Sequence, residues 1–363
     1  MIKNLRRAFA RAALLALPGL ISPILASAQT APLKIGFVYV SPIGQAGWSY
    51  QHDLGRHTME RNLGAQVKTT VVESVAEGPD AERVMRDLVA QGHKLIFATS
   101  FGYLEGALRV AADHPEVRFE HAGGYKTAPN LNTYNARYYE ARWLAGRLAA
   151  MNSASGVAGY VAGFPVPEVV QGINAFALGM RSVNPKATVR VVWLNTWFDP
   201  AREREAAQTL VNQGADVLTN HTASPAVALA AEEQGVKLLA NQSDMSKFAP
   251  RAQLAAVTHH WGDYYTRVAR EVIAGTWKAR PVWGGIAQGM VQLSALDADL
   301  PASQVNAIDA ARQSLLSGKV AVFAAPLTDN QGKPRLERGA LTDDQIATMD
   351  WLVQGVVGSV AAR

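Results

Sequence analysis

The sequence predicts an α/β protein of two lobes, each a mostly parallel sheet with helices on both faces. Three observations predict it. Short apolar runs of strand length alternate with longer amphipathic stretches along almost the whole chain. The chain has 363 residues, more than one ordinary core organises. The alternation also falls into two series with no long linker between them, so short crossovers join the lobes and leave a shared cleft.

The first residues stand outside this pattern. Lys3, Arg6, Arg7 and Arg11 form a positive stretch, an apolar run follows over residues 12–25, and Ala26-Ser27-Ala28 closes it with small residues. This reads as a secretory signal peptide over residues 1–28, cleaved after export. Pro18 and Pro23 break the apolar run, which is too short for a spanning helix of about 20 residues. Cysteine is absent, which excludes a lipid-bearing cysteine, a disulfide, a thiolate metal site and a cysteine nucleophile. The leader carries four positive residues and no acidic one, so the formal net charge of +5 falls to about +1 without it. The remaining basic residues are scattered, and nothing in them points to a nucleic-acid partner.

The first series opens with a buried strand over 34–40, bounded by Pro32 and Pro42. A helix over 49–63, a strand over 67–75 and a helix over 79–90 follow, the last with Pro79 at its start and Gly92 just past its end. Strands at 95–99 and 117–121 and helices at 103–112 and 138–151 complete it. The second series has strands at 157–162, 189–195, 217–220, 237–240 and 254–258, and helices at 166–183, 200–213, 225–234 and 262–274. The tail from Trp283 reads as Gly-rich strand-like runs, a helix near 304–316 and a terminal helix near 342–360. The expected organisation is a first lobe of 34–153 completed by about 275–363, and a second lobe of 154–274. The helix at 262–274 could pack on either lobe.

Ligands of open α/β sheets bind outside the carboxyl ends of the strands. At those ends the sequence places Trp48 and Ser49, Phe101 and Tyr103, Gly124 and Tyr125, Phe164, Trp197, His221, Gln242 and Asp244, and Trp261. Loops are usually polar, so rings recurring beside amides and hydroxyls need a reason. Either each ring caps the core or the lobe interface, or a flat ligand is gripped between rings while Asn, Gln, Ser and Asp read its edge. His221 has the same two readings, ligand partner or satisfied loop residue. Trp193 and Trp277 read as structural. The chain lacks G-x-S-x-G, H-E-x-x-H, a P-loop, and a G-x-G-x-x-G after the first strand. His259 and His260 are adjacent, and adjacent strand residues face opposite ways, so no metal site and no cofactor is expected.

Several long segments carry a resemblance. They are K-I-G-F-V-Y-V with G-W-S-Y-Q-H-D-L-G at 47–55, V-A-E-G-P-D-A-E-R at 75–83, T-S-F-G-Y at 99–103, F-E-H-A-G-G-Y-K-T at 119–127, Y-N-A-R at 134–137, P-V-P-E-V-V-Q-G-I-N at 165–174 and N-T-W-F-D-P at 195–200. On these the chain resembles the basic membrane protein family of importer-associated binding proteins, the group that contains bacterial purine nucleoside receptors. The resemblance implies a type I periplasmic-binding-protein fold with three crossovers, an ABC importer permease as partner and a purine or related heterocycle as ligand. It puts Trp48 and Trp197 where stacking rings sit. Nucleoside-binding members hold a ribose with an Asp and a Lys, and the resemblance puts Gln242 and His259 at those places here, while Asp244 keeps the second acid of that run. The expectation is a periplasmic, monomeric, non-enzymatic receptor for a free purine base, adenine first. The alternatives are a nucleoside or other solute receptor, a sensory role and an exported purine-acting enzyme.

Overall fold

A computed structural model describes residues 31–360, so the signal-peptide reading lies outside the described residues. From Pro32 on the chain forms one compact unit. Its first sheet contains β1 (Leu33–Val38), β2 (Val67–Val72), β3 (Leu95–Ala98), β4 (Arg118–Ala122) and β5 (Leu131–Ala136), with α1 (Trp48–Leu63), α2 (Pro79–Ala90) and α3 (Leu104–Asp113) between the earlier strands. Helix α4 (Tyr138–Asn152) then leads to the second sheet. That sheet contains β6 (Val157–Ala162), β7 (Thr188–Trp193), β8 (Val217–His221), β9 (Lys237–Gln242) and β10 (Gln253–His259), joined through α5 (Pro167–Arg181), α6 (Pro200–Asn212) and α7 (Ala226–Gln234). The tail is α8 (Gly262–Ile273), β11 (Val282–Gly284), β12 (Val291–Ser294), α9 (Ala302–Leu316), β13 (Leu327–Thr328), β14 (Pro334–Leu336), α10 (Asp343–Ala347) and β15 (Val356–Val357).

The strand orders are β11-β5-β4-β3-β1-β2 and β12-β10-β9-β8-β6-β7-β15. Pairing within these two sheets is parallel except where β12 meets β10. Ile35, Phe37 and Val38 are fully buried, as expected of a strand covered on both faces. The helices follow from equally local causes. Pro79 opens α2, and Ala81, Val84, Met85 and Leu88 recur at helical spacing to form its buried face. Asp199 caps α6 by accepting from the Arg202 amide at 3.1 Å. Helices α4 and α5 pack backbone to backbone. A Cβ on Gly146 would overlap the Phe176 carbonyl, and one on Gly179 the Trp143 carbonyl, so both positions require glycine.

Within the described residues the chain passes between the sheets three times: from β5 to β6, from β10 to β11 and from β11 to β12. This is the type I periplasmic-binding-protein arrangement. The tail departs from expectation in two ways. It was expected to complete the first lobe, yet only β11 joins the first sheet, while β12 and β15 pair with β10 and β7 of the second. The terminal helix expected near 342–360 is only the short α10. A Thr342–Gln345 capping box starts it, but Gly355 at φ 96° and Gly358 at φ 149° put the following chain outside helical geometry, and β15 takes its place. Strand β5 was absent from the sequence reading because its polar residues, Asn132, Thr133 and Asn135, hide the strand pattern. Helix α8 packs on α1, beside the first sheet.

Candidate ligand-binding site

The carboxyl ends of the two sheets enclose a narrow cavity lined by residues of both lobes. The first lobe lines it with Val40, Trp48, Ser100, Phe101, Ala122 and Gly123. The second lines it with Val166, Glu168, Trp197, His221, Thr222, Ala223 and Gln242. Among the described lining residues none is lysine or arginine.

Trp48 sits at the start of α1. Its indole N–H donates to the Thr99 carbonyl at 2.6 Å, and His52 and His259 pack against the ring edge-on at 4.6 and 5.7 Å between centroids. The polar edge is therefore satisfied by the main chain, and the ring is fixed in place. Trp197 enters from the second lobe. Its N–H donates across the cleft to Glu77 at 3.0 Å, and Phe164 supports it edge-on at 4.9 Å. Further contacts bind the lobes at the same mouth. The Gly47 amide donates to Ser243 Oγ at 2.7 Å, and Lys247 donates to Gln45. Gly47 has φ 93°, and a Cβ there would overlap the Ala223 carbonyl, so glycine alone permits this approach.

The second lobe supplies a buried polar wall. His221 Nε2 lies 3.4 Å from Glu168 Oε1, and Glu168 Oε2 accepts from Asn135 at 3.0 Å. Burial holds the His221 imidazole below its ordinary pKa, and that of His259 well below, so both are neutral at neutral pH. Gln242 is held at φ 70°, a costly conformation for a non-glycine residue and one that clusters at functional sites. Among the described residues, His221 Nδ1, Gln242 Oε1 and both ring nitrogens of His259 are buried without a hydrogen-bond partner. Buried polar groups are normally paired, and of these residues His221 and Gln242 line the cavity, where a ligand could pair them.

Trp48, Phe101, Trp197, His221 and Gln242 thus come together at the cavity, with Phe164 behind Trp197. The other candidates stand elsewhere. Ser49 is buried and shares its hydroxyl with Ser41 at 2.7 Å. Tyr103 is core, its hydroxyl donating to the Val75 carbonyl at 2.6 Å. Gly124 packs on His121 and Thr133, and its neighbour Gly123 forms the wall instead. Tyr125 is exposed. Asp244 is an exposed turn residue that accepts from the Ser246 amide at 2.9 Å and Gln253 at 2.7 Å. Trp261 is 1% exposed and stacks on His52 at 5.1 Å, in the core. Sequence reasoning assigned no role to Glu77, Ser100, Glu168 or Thr222. The first three lie inside segments that carried the family resemblance, V-A-E-G, T-S-F-G and P-V-P-E.

Comparison with known proteins agrees with this architecture. A solute-binding protein of an ABC transporter system from Aeropyrum pernix K1 superposes with a TM-score of 0.70 at 18% identity, over 81% of this chain and 94% of that one. A transcriptional activator of the comK gene from Bacillus halodurans superposes with a TM-score of 0.67 at 21% identity, over 79% of this chain and 99% of that one. These likenesses show the fold alone. In sequence, the chain is 45% identical over 325 residues to a purine-binding protein of Brucella abortus (strain 2308), covering 89% of this chain and 93% of that one. It is 36% identical to a putative ABC transporter glucose-binding protein of Haloferax volcanii, covering 90% of this chain and 81% of that one. The family described as ABC transporter substrate-binding protein, PnrA-like, matches residues 33–324, and the chain belongs to that family, whose members are transport receptors and not enzymes.

Proposed function

We propose that this substrate-binding protein captures a free purine base, adenine first, between its lobes and hands it to the permease of an ABC importer. The observation that carries the reading is a cavity with Trp48 on one lobe and Trp197 on the other, without a described lysine or arginine in its lining. Two rings suit a flat heterocycle, and stacking a base on an aromatic side chain is worth about 1–3 kcal/mol. The purine-binding relative supports the same ligand class. The sequence resemblance puts Gln242 and His259 where nucleoside-binding members hold a ribose with Asp and Lys, which favours the base over the nucleoside. The ligand contacts both lobes only when they are closed, so it selects that form. The protein acts as a monomer in the periplasm of a Gram-negative cell, after removal of residues 1–28. A sugar is the second reading, because the putative glucose-binding relative also spans most of the chain.

The test is isothermal titration of the mature protein, freed of carried-over ligand by unfolding and refolding. Adenine is expected to bind submicromolarly and adenosine at least about tenfold more weakly, a difference of about 1.4 kcal/mol. Tighter binding of adenosine than adenine would return the nucleoside reading. Glucose binding without a purine response would return the sugar reading.

A further inference from the structure

Three polar residues of the cavity wall have already given away their hydrogens. The Ser100 hydroxyl donates to Glu77 Oε1 at 2.6 Å. The Thr222 hydroxyl donates to Glu203 Oε2 at 2.8 Å, while Thr222 Oγ1 accepts from Asn220 at 3.2 Å. His221 has Nε2 3.4 Å from the Glu168 carboxylate, which favours the tautomer with the proton on Nε2 and leaves Nδ1 a bare acceptor. Among the described residues, that Nδ1 is buried and unpartnered. Each glutamate is a committed acceptor. Glu203 is fully buried and also accepts from the Ser224 hydroxyl at 2.6 Å and the Asp199 amide at 3.2 Å. Glu77 also accepts from the Gly102 amide at 2.8 Å. A hydroxyl whose hydrogen is spent offers only lone pairs.

We infer that Glu77, Glu168 and Glu203 are positioning residues that turn Ser100, His221 and Thr222 into hydrogen-bond acceptors, so that the cavity selects a donor-rich, amino-substituted heterocycle over its oxo counterpart. The inference rests on reading this cavity as the ligand site. Its chemistry is one of matched pairs. An amino group brings N–H donors to the wall, whereas an oxo group brings lone pairs against lone pairs, and buried groups left unpaired reject the analogue. Each glutamate lies in the same lobe as the residue it orients, so the wall is formed before the lobes close.

Two measurements test it together. The first is titration with the matched pairs adenine and hypoxanthine, and cytosine and uracil. The second is ¹⁵N NMR of the His221 imidazole, assigned by its disappearance in His221→Asn. The expected result is adenine over hypoxanthine by more than about tenfold, with Nδ1 unprotonated in the free protein and its signal moved by adenine. Glu168→Gln should shrink the ratio several-fold and shift the tautomer balance, while a merely structural role for Glu168 would weaken both ligands alike and leave the tautomer unchanged. Equal affinity for adenine and hypoxanthine, or a protonated Nδ1, overturns the acceptor wall and leaves the purine reading standing. No purine binding with cytosine preferred to uracil overturns the purine reading and supports the wall. If none of the four binds, the purine reading falls and the tautomer alone decides the wall.

Discussion

The first sheet lines the cavity with Val40, Trp48, Phe101, Ala122 and Gly123, and with one described hydroxyl, Ser100. The second lines it with Glu168, His221, Thr222 and Gln242 beside Trp197, Val166 and Ala223. One wall is chiefly apolar and aromatic, and the other carries most of the hydrogen-bonding groups. The difference has a physical consequence. Stacking is indifferent to which edge groups a flat ligand carries, whereas a buried polar edge discriminates among them strongly. On the proposed reading, the first lobe chiefly holds the ligand and the second lobe chiefly reads its edge.

That comparison can be broken at its seam. Gly47→Ala adds a Cβ that overlaps the Ala223 carbonyl, at a backbone φ of 93°. The walls should then fail to meet. We expect affinity to fall by more than about a hundredfold, as for a ligand that loses one wall entirely, with little change in melting temperature. X-ray scattering should show no compaction on adding adenine. Normal compaction would remove this contact from closure.

Trp48→Ala tests the holding wall alone. Affinity should fall about tenfold to a hundredfold, matching about 1–3 kcal/mol for one lost stack. The loss should be the same for adenine and hypoxanthine, because the ring reads no edge. A loss confined to one of them would refute the division between the walls.

Trp197→Phe keeps a ring but deletes the N–H that bridges to Glu77. Hydrogen bonds to charged groups are worth about 1.5–3 kcal/mol, and this partly exposed one belongs at the low end. Stopped-flow release of adenine should accelerate about tenfold, with selectivity preserved. An unchanged rate would show that the bridge plays no part in closure. The smallest effect is expected for Asp244→Asn. Its side chain ties a surface turn through Ser246 and Gln253, so titration should return the wild-type affinity and the variant should lose only a little stability.

Much of the scaffold was readable from local pattern. The strand-end loops and Trp48, Phe101, Trp197 and His221 were placed by counting apolar runs and inspecting the residues just past each one. The same rule also collected Tyr103 and Trp261, because a large ring after a strand looks alike whether it turns to the cleft or to the core. Glu168 and Glu77 were passed over for the opposite reason. One lies in the first turn of α5 and reads as an ordinary helix-start acid, and the other lies before α2 as a solvated loop charge.

The sequence by itself determined the two βα series, the loops that meet at the cleft and the kinship with a family of transport receptors. Hydrophobic periodicity and turn chemistry are local, and they survive in a one-dimensional reading. The tertiary structure alone decided that β12 and β15 serve the second sheet, that Gln242 lines the cavity while Asp244 caps a turn, and that glutamates remote in the chain take up the hydrogens of Ser100 and Thr222. Those outcomes depend on which side chains meet across long loops, and chain order does not encode the direction in which a side chain points once a strand has ended.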